Sequence, residues 1–146
     1  MEKFFNIEKY GELRIDRVIF EAASPVLFTC VNDRQDLFLC VCCQNNRAGT
    51  KWLLSKSAPS DIIRMLRDEL TIREVLLQNV DSRITITSDN KGVLVESDNT
   101  EVWSDGSIYL PKAGEYLDAD PGEFDEDIDY YSAMSRDKMM DSRSKA

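Results

Sequence analysis

The chain contains no histidine among its 146 residues. That absence removes the commonest general base, the commonest nitrogen ligand of zinc, and every Ser–His or Cys–His pair that could activate a nucleophile. Glycine is scarce, at six residues, and none falls in a G-x-x-x-x-G-K-[ST], G-x-G-x-x-G or G-x-S-x-G pattern. No phosphate-cradling loop and no nucleophile elbow is therefore expected. No apolar run reaches the ~18 residues of a membrane-spanning helix. The opening stretch "MEKFFNIEKYGELRID" has early acids and no apolar h-region, which predicts no secretory signal and a cytoplasmic location. These absences predict a non-enzymatic protein with no catalytic residues, no cofactor and no metal.

What is present describes a folded protein. Apolar residues make up 42% of the chain, with six Phe, five Tyr and two Trp, enough for the core of one domain. The net charge is −9, and it is unevenly placed. Residues 113–146 hold ten acidic and four basic side chains, while 1–112 hold seventeen and fourteen. Such a surface repels phosphate backbones, and the arginines, scattered among acids, form no phosphate-tracking stripe, so neither nucleic acid nor membrane is expected as a partner.

Strand signals dominate the first third. Leu13 and Ile15, then Val18 to Phe20, alternate with charged residues and predict a half-buried first strand, at a sheet edge, within 1–24. Two apolar runs, 26–31 and 37–43, flank the polar turn Asn32–Gln35. Both are apolar on both faces, as central strands covered above and below would be. "KWLLSK" predicts a further short strand. In "SAPSDIIRMLRDEL" the period changes, with Ile62, Ile63, Leu66 and Leu70 on one helical face, Ser57 or Ser60 available as a cap, and Pro59 in the first turn. Thr71 and Glu74 have capping-box spacing and start a second helix after a joint at Glu69–Thr71. "RITITSDNKGVLVES" predicts a hairpin, and "VWSDGSIYL" another with its bend at "SDGS". Trp52 and Trp103 are expected in the core.

The expected fold is α+β: a mainly antiparallel sheet with two consecutive short helices packed on one face. Residues 1–117 form this domain. Residues 118–146 follow as an acidic, flexible tail, with apolar residues only in ones and twos.

"LFLCVCCQNN", residues 37–46, holds three of the four cysteines. On a strand Cys40 and Cys42 face one way and Cys43 the other, so the C-x-C-C spacing does not converge on a metal. With Cys30 opposite about Leu37, no disulfide is set up between hairpin partners. Buried apolar packing is the favoured reading, and Cys43, beside Gln44, is the one candidate for a reactive thiol.

The stretch "EYLDADPGEFDEDIDYY" can be weighed in four ways. It fails the calcium-loop pattern, because Gly122 comes too early and no glutamate closes the loop. Its adjacent acids lack the fixed spacing and unlike environments of a catalytic pair. It remains either a solubilising tail or an acidic-aromatic arm for a basic protein. The candidate contact residues are Asp118, Asp120, Glu123, Phe124, Asp125, Glu126, Asp127, Asp129, Tyr130 and Tyr131.

The segments "PVLFTCVNDRQDLFLC" and "WLLSKSAPSDIIRMLRDELTIREVLL", and more weakly "IYLPKAGEYL", carry a resemblance. Over residues 24–78 the order P-x-L-F, hairpin, Trp-Leu strand, capped helix and second helix resembles a family of small, uncharacterised bacterial proteins, a domain of unknown function. The resemblance implies the same element order and a bacterial origin, and no activity. The expectation is a cytoplasmic protein of the immunity or inhibitor type holding a basic protein partner. The alternatives are a small enzyme or ligand-binding domain with a carboxylate-lined pocket, and a nucleic-acid mimic.

Overall fold

The computed structural model describes residues 2–22, 24–89, 91–97 and 100–144. Its sheet is a simple antiparallel meander of seven strands: β1 (Lys3–Ile7), β2 (Gly11–Ala22), β3 (Ser24–Val31), β4 (Leu37–Asn46), β5 (Gly49–Lys56), β6 (Ile84–Ser88) and β7 (Leu94–Ser97), each paired with its neighbours in sequence. Helices α1 (Pro59–Leu66) and α2 (Ile72–Leu77) lie between β5 and β6, and α3 (Asp125–Ser144) follows the sheet. The expected mainly antiparallel α+β arrangement is present.

The sheet is strongly curled. In a flat sheet β1 and β5 would lie four strand spacings apart, about 19 Å. Instead the rings of Phe4 on β1 and Trp52 on β5 meet edge to face with centroids 5.6 Å apart. At the other end the backbone N–H of Glu8 reaches a carboxylate oxygen of Glu96 on β7 at 3.4 Å. Irregular registers in the β1–β2, β2–β3 and β4–β5 pairs supply the bend. The inner face buries Ile7, Leu13, Phe28, Cys30, Phe38, Cys40, Leu54, Ile84 and Ile86. On the outer face Leu27, Val31, Leu37, Leu39 and Leu53 pack with Ile62, Met65 and Leu66 of α1, Val75 and Leu76 of α2, and Tyr131 of α3. Strands β3 and β4 are thus apolar on both sides because both sides are covered.

Several details differ from the sequence pattern. The first strand is two strands: a turn at Glu8–Tyr10 folds β1 back, so β1 is the edge, and β2 pairs with β1 over Gly11–Arg14 and with β3 from Arg14 onward. The connection between β3 and β4 spans five residues, because Asn32 ties it together. The Asn32 side-chain carbonyl accepts from the N–H groups of Arg34 and Asp36, at 3.1 and 2.9 Å. Neither Ser57 nor Ser60 caps α1. The N-cap is Ala58, without a side-chain bond, and Pro59 opens the helix, while Ser57 donates to the Ser55 carbonyl. The Thr71–Glu74 capping box of α2 is formed in both directions, at 3.0 and 3.1 Å. β6 and β7 form the expected hairpin, with Asn90 of its turn outside the described residues. "VWSDGSIYL" is not a hairpin: Thr100–Trp103 is a 3₁₀ turn followed by bends. Trp103 drives this by turning into the outer core, where its indole N–H donates to Thr85 Oγ1 at 2.9 Å. Trp52 is half-buried at the inner face.

Candidate functional site: an acidic segment pinned to the sheet

Residues 118–129 begin beside the end of α1. The chain leaves α1 through Asp68, in the left-handed region at φ 59, a conformation that aspartate tolerates better than most residues. From there the Asp68 carboxylate accepts the backbone N–H groups of Asp118 and Ala119, both at 3.0 Å. Asp118 is itself left-handed, at φ 59. Two residues on, the Asp120 N–H donates to the Glu123 carboxylate at 3.0 Å. Asp125, Glu126 and Asp127 then occupy the first turn of α3, where carboxylates oppose the positive end of the helix dipole.

Most of the segment expected as a flexible tail is therefore helical, and α3 is joined to β2 and β3. The pattern 13, 15, then 18, 20 in β2 skips a position, and the structure supplies the reason. Ile15 pairs with Cys30 and Arg17 with Thr29, leaving Asp16 as an extra, bulged residue. With the bulge, Asp16 and Arg17 both reach α3. Arg17 pairs with Asp127 at 2.8 Å and lies over the Tyr130 ring at 4.7 Å. The Tyr130 hydroxyl donates to Asp16 at 2.5 Å. Thr29 donates to the other Asp16 oxygen at 3.4 Å, so in the 2.6 Å contact between Thr29 and Tyr131 the tyrosine is the donor. Burial, and then the hydrogen bond to Asp16 and its charge, push the Tyr130 phenol up to about 12. Burial likewise raises that of Tyr131. Both stay protonated and able to donate.

The ten residues singled out from sequence thus divide. Asp118, Asp120, Glu123, Asp125, Glu126 and Asp129 are exposed, and none forms an ion pair among the described residues. Phe124, Asp127 and Tyr130 are half-buried and Tyr131 is fully buried. Tyr116, 45% exposed, is the accessible ring beside the acids. Asp16, Arg17, Thr29 and Asp68, which position the segment, were not singled out. Only the broken alternation in β2 and the joint after α1 hint at them.

No family description, curated protein or solved structure matches this chain.

Among the described residues no group of three or more Cys, Asp or Glu side chains is arranged to hold a metal ion. An open groove of about 690 Å³ between β5, α1 and α3 is lined by Asp61 and Asp81 but also by Lys56 and Lys138, so it is of mixed sign. Cys43 lies on the outer face, half-buried, with its thiol donating to the Lys51 carbonyl at 3.4 Å. Burial pushes its pKa up to about 11. At pH 8 that leaves only about a thousandth of it as thiolate, against roughly a quarter of an ordinary thiol. Alkylation of Cys43 in the folded protein, followed by peptide mapping, is expected to run at least about a hundredfold slower than that of a free thiol at pH 8. Labelling at the free-thiol rate would show that the side chain is not held under this cover.

Proposed function

We propose that this chain is a non-enzymatic cytoplasmic bacterial protein that binds a basic protein partner through the acidic surface of residues 118–129, in the manner of an immunity or inhibitor protein. The observation that carries this reading is the set of six exposed carboxylates, without cationic partners among the described residues, on a backbone clamped by Asp68 and continued by a docked helix. A held backbone lowers the ordering cost of binding. Clustered like charge speeds encounter with an oppositely charged patch and orients it. Of the aromatic contact residues expected from sequence, Tyr131 serves the protein's own core and Tyr130 is held by Asp16 and Arg17, which leaves the half-buried Phe124, together with the exposed Tyr116, beside the acids.

The test is neutralisation at constant shape: Asp118→Asn, Asp120→Asn, Glu123→Gln, Asp125→Asn, Glu126→Gln and Asp129→Asn together. A basic protein captured from a bacterial host is purified, and its binding is measured against wild type and variant across a salt series. The expected result is at least a tenfold loss of affinity at low salt, carried by slower association, with a flattened salt dependence. Asp68→Ala keeps the six charges but frees the backbone, and is expected to weaken binding severalfold. Equal affinity of the neutralised variant and wild type would sink the reading.

A further inference from the structure

The cysteines of β3 and β4 stand differently from what strand counting suggests. Cys30 pairs with Phe38 and Cys40 with Phe28, so the two cysteines are diagonal neighbours on the inner face of adjacent strands. Diagonal side chains are usually about 7–8 Å apart. Here the side chains lean together, and the Cys40 thiol donates to the Cys30 sulfur at 3.5 Å. Both are fully buried in the inner core, beside Phe28, Phe38 and Leu54. The sulfurs need to close by only about 1.5 Å to reach the length of a disulfide bond.

We infer that Cys30 and Cys40 are a disulfide-forming pair: a peroxide that reaches the inner core oxidises them to a crosslink between the two central strands. In the first step one sulfur, as thiolate, attacks a peroxide oxygen. An S–O bond forms, the O–O bond breaks, and the departing hydroxide takes up the thiol's proton as water. In the second step the other sulfur attacks the sulfenic sulfur. The S–S bond forms, the S–O bond breaks, and a second water leaves with that thiol's proton. Two sulfurs lose two electrons in total, and one peroxide becomes two waters. Burial raises the Cys40 thiol well above its ordinary range, so closure is slow and follows breathing of the sheet. The adjacency of the second thiol makes crosslinking, rather than further oxidation of one sulfur, the outcome. The crosslink closes a short loop across the β3–β4 hairpin, which restricts the unfolded chain.

The experiment uses the full chain carrying Cys42→Ser and Cys43→Ser, so that only this pair can react. After hydrogen peroxide treatment, both remaining thiols are expected to disappear together. Digestion without reductant should yield one fragment joining the Cys30 and Cys40 peptides, and the melting temperature should rise by several degrees, reversed by dithiothreitol. Adding Cys40→Val, or Cys30→Val separately, is expected to abolish both the joined fragment and the shift. Oxygen added at single cysteines without crosslinking, a crosslink between two chains, or a crosslink formed only after denaturation would overturn the inference.

Discussion

Replacing Tyr131 by alanine is expected to destabilise the fold by about 3–5 kcal/mol, the range for losing a large, fully buried aromatic side chain. Tyr131 is the largest fully buried side chain among the described residues. Its ring packs in the outer core and meets Tyr130 edge to face, with centroids 5.0 Å apart. Its hydroxyl donates to Thr29 across 102 positions of sequence. Alanine removes ring and donor together and leaves a cavity between α3 and the sheet. Tyr131→Phe keeps the ring and gives up one hydrogen bond, a cost of about 1 kcal/mol, because Thr29 still has Asp16 as its acceptor. Urea unfolding followed by circular dichroism measures both. A loss under about 1 kcal/mol for Tyr131→Ala would mean that residues beyond Asp118 are not docked in solution and behave as the loose tail their composition suggests.

The second large effect is expected at a glycine. Gly49 opens β5 at φ +134, a conformation that side chains rarely adopt, and a Cβ built there would lie 2.0 Å from the Ser88 carbonyl oxygen. The neighbour is backbone, fixed by the Thr50–Ser88 pairing of β5 with β6, so it cannot swing aside. Gly49→Ala is expected to cost roughly 3 kcal/mol or more, combining backbone strain with displacement of the end of β6. Gly11 is the control: its φ is +78, but a Cβ there meets nothing within 4 Å. Gly11→Ala is expected to cost about 1–2 kcal/mol from the dihedral alone. Comparing the two unfolding midpoints separates steric contact from backbone preference. Equal costs would show that the Gly49 approach relaxes freely.

Local chemistry made much of the fold legible. The paired apolar runs of β3 and β4, the Thr71–Glu74 box and the β6–β7 hairpin are patterns whose determinants lie within a few residues of one another. The misreadings share a different cause. "VWSDGSIYL" alternates like a hairpin, but Trp103 finds a partner in Thr85 and buries its ring by leaving strand geometry. Residues 125–144 look too polar for a docked helix, yet Tyr131, with Ile128 and Met134 half-buried alongside, attaches it to the outer core. Of the candidate site, the acids themselves were readable, whereas Asp68, Asp16 and Arg17 act through contacts 50 to 114 positions away in sequence.

By itself the sequence determined the mainly antiparallel sheet, the second helix cap, the acidic balance of the last quarter and the exclusion of histidine chemistry. Each of these follows from residue type or short-range period. Only the tertiary structure decided that the sheet curls until Phe4 meets Trp52, that Cys30 and Cys40 touch on the diagonal, and that the acidic segment is clamped rather than loose. The physical reason is that curl, diagonal pairing and helix docking depend on bulges and on long-range partners competing for the same buried surface. No local pattern contains the outcome of that competition.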